Sequence, residues 1–125
     1  MITAKTNFGG YEFELEVCLE CYPGETVLES QQTALKDLLK NQKGMDEALV
    51  QLKKYLFNEN KDQFPDGFQG DIFDYVAPRT IYIPHTEKYH RSAILCDCTF
   101  DEEHGLAIIF KDGKFEQIGS QDLII

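Results

Sequence analysis

A chain of 125 residues with 42% hydrophobic, 12% aromatic and 27% charged side chains has the composition of one ordinary folded domain, residues 1–125, and not of a disordered or fibrous chain. At this length folding buries roughly two-thirds of the unfolded chain's surface, so a core forms without disulfide or metal staples. Twenty-two Asp and Glu against twelve Lys and Arg leave a net charge of -10, which repels phosphate backbones and anionic lipid and excludes nucleic acid and membrane surfaces as expected partners. No apolar stretch is long enough to cross a bilayer, and Met1 to Asn7 lack the apolar core of a signal peptide. The expectation is therefore a chain made and kept in the cytoplasm.

Two strands, Ile2 to Phe8 and Tyr11 to Tyr22, flank Gly9-Gly10, a pair suited to a tight hairpin turn. The second alternates, with Tyr11, Phe13, Leu15, Val17 and Leu19 on one face and Glu12, Glu14, Glu16 and Glu20 on the other. After Pro23-Gly24, Thr26-Val27-Leu28-Glu29 has the form of a capping box that opens a helix running to about Gln42. Leu28, Ala34, Leu35, Leu38 and Leu39 form its predicted buried stripe. Gly44 suits a turn and Asp46 a cap for a second helix, whose apolar stripe is Met45, Ala48, Leu49, Leu52, Tyr55 and Leu56. So short a connection predicts an antiparallel helical hairpin.

Residues 61 to 77 hold Phe64, Phe68, Phe73 and Tyr75, too apolar for a solvated linker, and predict an ordered loop with one helical turn around Asp71 to Val76. A short strand, Arg79 to Ile83, lies between Pro78 and Pro84. The stretch His85 to Arg91 reads as a polar loop and a small basic island. Three more strands follow, Ala93 to Phe100, Leu106 to Lys111 and Lys114 to Ile118, the last two joined by the hairpin signal Asp112-Gly113. The expected fold is α+β: a mostly antiparallel sheet of about six strands with a two-helix hairpin on one face.

Two cysteine pairs, Cys18/Cys21 and Cys96/Cys98, carry the residue types of a tetrahedral zinc site. Their placement within strands argues against one, since Cys18 and Cys21 are an odd number of residues apart and Cys96 and Cys98 read as small core residues. The segment Asp101-Glu102-Glu103-His104-Gly105 gathers three carboxylates and an imidazole. It admits a metal or acid-base site but reads better as a structural turn organised by His104 and Gly105, like the turn at Asp112 and Gly113. Phosphate loops, zinc-protease motifs and nucleophile elbows are missing from the sequence. The expectation is a binding domain, with no catalytic residue, metal or cofactor. The alternative is a metal-binding protein or metal-dependent enzyme using the cysteine pairs or the His104 turn.

The runs Phe73 to Ile83, Cys96 to Leu106, Lys111 to Lys114 and Gly119 to Asp122 resemble an uncharacterised bacterial family. Its members carry an aromatic-Asp-x-Glu-His-Gly-Leu turn, here Phe100 to Leu106, with Phe100 where many members have Trp. The resemblance covers roughly residues 70 to 123. Its relatives include immunity proteins of polymorphic toxin systems, which implies a small cytoplasmic protein that neutralises a toxin and performs no catalysis. A basic toxin would be drawn by the charge of -10. The expected contact surface is Glu12, Glu14, Glu16 and Glu20, or Asp101, Glu102 and Glu103.

Overall fold

The computed structural model describes residues 2–59, 71–85 and 90–124. Residues 61 to 70 of the aromatic loop expected over 61 to 77, with Phe64 and Phe68, and residues 86 to 89 of the basic island lie outside that range. Six strands form one sheet in the order of the chain: β1 (Thr3–Phe8), β2 (Tyr11–Leu19), β3 (Val76–Ile83), β4 (Arg91–Cys98), β5 (Leu106–Lys111) and β6 (Lys114–Gly119). Every neighbouring pair is antiparallel except β2 with β3. That one parallel pair requires a long crossover, which contains two helices, α1 (Glu29–Lys40) and α2 (Gln42–Glu59). The fold is α+β.

The alternation in β2 places Leu15 in the core and leaves Glu12, Glu14 and Glu16 exposed on the opposite face. The inner face continues through Ile81 and Ile83 of β3, Ile94, Cys96 and Cys98 of β4, and Leu106, Ile108 and Phe110 of β5, all buried. α1 packs on β3 and β4, whereas α2 packs on β1, β5 and β6. Because β1 and β6 are opposite edges, the sheet curls around α2, as strand twist favours. The dimensions agree: 18 helical residues span about 27 Å, and six strands span about 24 Å. Met45, Ala48, Leu49, Leu52 and Leu56 are the buried stripe of α2. On the outer face, Ala93, Ala107 and Ile109 make a smaller cluster with Leu95 and Ile124, covered by the C-terminal segment after β6.

Both helix starts differ from the sequence reading. Thr26 does not cap α1. The helix begins at Glu29, and the amide of Leu28 donates to Oε1 of Gln31 at 2.8 Å. The Gln31 side chain is almost wholly buried, and its Nε2 donates to the carbonyls of Glu20 at 2.8 Å and Ile83 at 3.1 Å. These are the chain positions where β2 and β3 finish, so one side chain joins the parallel strands to the helix that connects them. Inserting Gln31 between the strand ends moves the helix start downstream of the Thr26 motif. β2 correspondingly stops at Leu19, before Tyr22. Likewise Gly44 and Asp46 lie inside α2. The preceding Asn41 serves its first turn instead, accepting from the Gly44 amide through Oδ1 at 3.0 Å. Gly44 is buried there because the carbonyl of Gly113, in the β5–β6 turn, occupies the space a Cβ would need.

Two substitutions test these constraints by urea denaturation. Gln31→Leu keeps approximate size but leaves two carbonyls and one amide without their partner, and is expected to lower stability by about 2–4 kcal/mol. Gly44→Ala would stabilise an exposed helix by about 1 kcal/mol. Here it is expected to destabilise, because the added methyl meets backbone.

Candidate functional site

Register explains how separate acidic segments come to one end of the sheet. β2 and β3 run parallel, with Glu16 beside Thr80 and Leu19 beside Ile83, so both begin at the same end. β4 finishes there, since Cys98 pairs with Val76. The 3₁₀ turn Ile72–Asp74, capped by Asp71 Oδ1 accepting from the Phe73 amide at 2.8 Å, leads into β3 at this end. Phe73 anchors it, with ring centroids 4.9 Å from both Tyr11 and Phe13 at the start of β2. Glu12 and Glu14, the 3₁₀ turn and the Asp101 to Glu103 turn thus belong to one end of the sheet, with Glu16 continuing the row. Glu14 accepts from Thr3 Oγ1 at 2.9 Å and stands across from Lys5.

Between the 3₁₀ turn and the end of β4 lies an open cleft of about 380 Å³, bordered by Asp74, Tyr75, Arg79, Asp97, Thr99 and Glu102. Arg79 sits where the β3–β4 register shifts between Pro78 and Thr80, and its Nε donates to Asp97 Oδ2 at 2.9 Å. Both partners are mostly solvated, at 65% and 71% side-chain exposure, so the pair contributes little stability but orients the guanidinium along the cleft. Tyr75 stacks on Phe100 with centroids 5.4 Å apart and planes 14° from parallel, and the Thr99 amide donates to the Tyr75 carbonyl at 2.9 Å. Sequence reasoning missed Arg79, Asp97 and Asp74 as neighbours. Arg79 and Asp97 are 18 positions apart, and only strand register brings them together.

The neighbouring turn is organised locally. Asp101 Oδ1 accepts from the His104 amide at 3.1 Å and lies 3.1 Å from His104 Nδ1. The Gly105 amide donates to the Asp101 carbonyl at 2.9 Å, with Gly105 at φ 64°. Asp101 is thereby engaged within the turn, while Glu102 and Glu103 point to solvent. At the β5–β6 turn Asp112 and Gly113 both adopt positive φ, 53° and 79°, the pattern of a type I′ hairpin. The cysteine pairs do not converge: Cys18 and Cys21 are exposed, and Cys96 and Cys98 are buried in the inner core. Burial holds the Cys96 thiol well above its ordinary pKa, which suppresses the thiolate that would bind metal.

Glu20 is placed differently from the rest of its predicted row. It follows β2 at the other end of the sheet and is half-buried. The Tyr82 hydroxyl, chiefly, holds its carboxyl below the ordinary 4.5, and the Tyr22 hydroxyl at 3.1 Å, the His85 amide at 3.4 Å and the charge of His85 act the same way against the opposing effect of burial. Tyr82 is in turn raised, first by burial and then by Glu20. Nearby, His85 lies 3.4 Å from Glu25 and 3.0 Å from the Thr26 carbonyl, while Arg91 donates to Glu116 at 2.8 Å. These described members of the basic island pair with the protein's own acids and backbone.

The depressed carboxyl of Glu20 gives its stabilisation a sign with pH. Its ionised form is favoured in the fold, so the contribution is complete above 4.5 and fades as the pH falls through the lower folded-state value. Unfolding free energies of the wild type and Glu20→Gln should therefore differ most near neutrality and converge in acid. A difference that stays constant with pH would contradict this role.

Among the described residues no helix is long and apolar enough to cross a membrane. No curated protein and no solved structure matches the chain. A family model described as a domain of unknown function, DUF6985, matches residues 2–125, and on this match the chain belongs to the DUF6985 family.

Proposed function

We propose that this chain is a small cytoplasmic protein-binding domain that docks a basic partner protein on the acidic end of its sheet, as a bacterial immunity protein would dock a basic toxin. The observation that carries the reading is the grouping of exposed carboxylates there. Glu12, Glu14 and Glu16 form a solvent-facing row, and Asp74, Asp97 and Glu102 border the cleft at the same end, with Glu103 beside it. An acidic patch on a chain of net charge -10 accelerates encounter with a basic protein by roughly 10- to 1,000-fold and weakens with salt. The cleft beside it offers Tyr75, Thr99 and the Arg79–Asp97 pair for directional contacts. Glu20, half-buried and already engaged at the far end, serves the fold.

The test compares capture of basic proteins from native lysate by the wild type, by Glu12→Lys/Glu14→Lys/Glu16→Lys and by Glu102→Gln/Glu103→Gln, at low and raised salt. The wild type is expected to retain a basic protein that salt releases. The charge-reversed chain should associate with the purified partner at least about tenfold more slowly at low salt, with stability lowered by no more than about 1 kcal/mol, because Glu14→Lys gives up the Thr3 contact and sets a lysine across from Lys5. Retention indifferent both to salt and to these substitutions sinks the proposal.

A further inference from the structure

Away from the acidic end, three segments meet where the β5–β6 turn presses against the helices. A Cβ on Gly113 would stand 2.5 Å from the Asp37 carbonyl oxygen of α1, and Gly44 of α2 faces the Gly113 carbonyl just as tightly. The Asp112 amide donates to the His90 carbonyl at 3.0 Å, tying the turn to the residue that enters β4. This junction brings together three side chains remote in sequence: Asp37, His90 and Asp112. One ligating atom from each lies within 4.8 Å of the other two, with His90 Nδ1 3.5 Å from Asp112 Oδ1.

Among the described residues neither Asp37 nor Asp112 is paired with a lysine or arginine, and the imidazole is the one partner that Asp112 has. Two carboxylates are thus held together on a chain of net charge -10, fixed by backbone packing that allows the turn little retreat. A divalent cation among them would turn a repulsion into two attractions.

We infer that Asp37, His90 and Asp112 form a binding site for a divalent transition-metal ion of the zinc class. The donor set makes the choice. Calcium and magnesium prefer oxygen throughout, whereas imidazole with carboxylates suits zinc, cobalt or nickel. Ligands about 2.0–2.2 Å from a tetrahedral zinc ion are about 3.4 Å from one another, so the observed spacing closes by small side-chain rotations. Side-chain exposures of 38% for His90 and 60% for Asp112 leave room for a water, or a partner's ligand, as the fourth donor. Bound metal would staple α1, the start of β4 and the β5–β6 turn. This site uses neither cysteine pair nor the His104 turn, and it does not depend on the proposed docking surface.

Calorimetric titration of the full chain with zinc ion alone is the test, repeated for Asp37→Asn, His90→Gln, Asp112→Asn and Cys18→Ser/Cys21→Ser. One saturable equivalent is expected. Each change in the triad should weaken it at least tenfold, and the cysteine double variant should bind as the wild type does. Asp112→Asn is the most informative, because asparagine suits a type I′ turn and preserves the fold while removing the charged donor. Cobalt substitution should give visible absorption of nitrogen and oxygen coordination without sulfur-to-metal charge transfer. Binding that never saturates near one equivalent, survives Asp112→Asn, or disappears with the cysteines overturns the assignment.

Discussion

The buried amide of Gln31 is the interaction on which the architecture turns. A parallel strand pair cannot be closed by a hairpin, so β2 and β3 must be aligned by whatever connects them. Here the connection reaches back through one side chain whose oxygen serves the start of α1 and whose nitrogen serves the carbonyl just past β2 and the last carbonyl of β3. A buried amide is costly unless its polar groups are partnered. This one is well partnered at both ends, so the cost becomes a specification of register and of helix position. An apolar residue of the same size could fill the space but could not choose where the strands stop.

From that alignment the distribution of charge follows. With β2 and β3 in parallel register, the start of β2, the entry to β3 and the exit from β4 share one end of the sheet. Acids that are isolated in sequence therefore become neighbours there. At the opposite end the carboxylate of Glu20 is drawn among tyrosine hydroxyls and the His85 amide. The same residue type thus serves solvent exposure at one end and structure at the other, because the strand ends differ in what packs beside them.

Much of this was legible from local pattern. Period-two alternation in β2, helical spacing in α2 and the glycine-bearing turns all report forces that act between near neighbours, and Glu12, Glu14 and Glu16 are exposed because that alternation is obeyed. The misread helix starts are instructive. Thr26-x-x-Glu29 has the form of a cap, and Gly44 and Asp46 have the composition of a turn, yet the buried glutamine and the closely packed β5–β6 turn decided both starts. A long-range hydrogen bond or a backbone contact outweighs a capping preference of about 1 kcal/mol. The candidate cleft was less legible, because Arg79, Asp97 and Asp74 converge only through strand register.

Taken alone, the sequence determined the α+β class, the strand and helix types, the acidic character and the identity of the hairpin turns. These depend on periodicity, backbone stereochemistry and summed charge, which need no knowledge of distant partners. The tertiary structure decided that β2 pairs in parallel with β3, that the sheet curls until both its edges meet α2, and that Asp37, His90 and Asp112 converge. Each of these joins residues far apart along the chain, and such pairings are selected by the packing of whole surfaces, which no short window of sequence encodes.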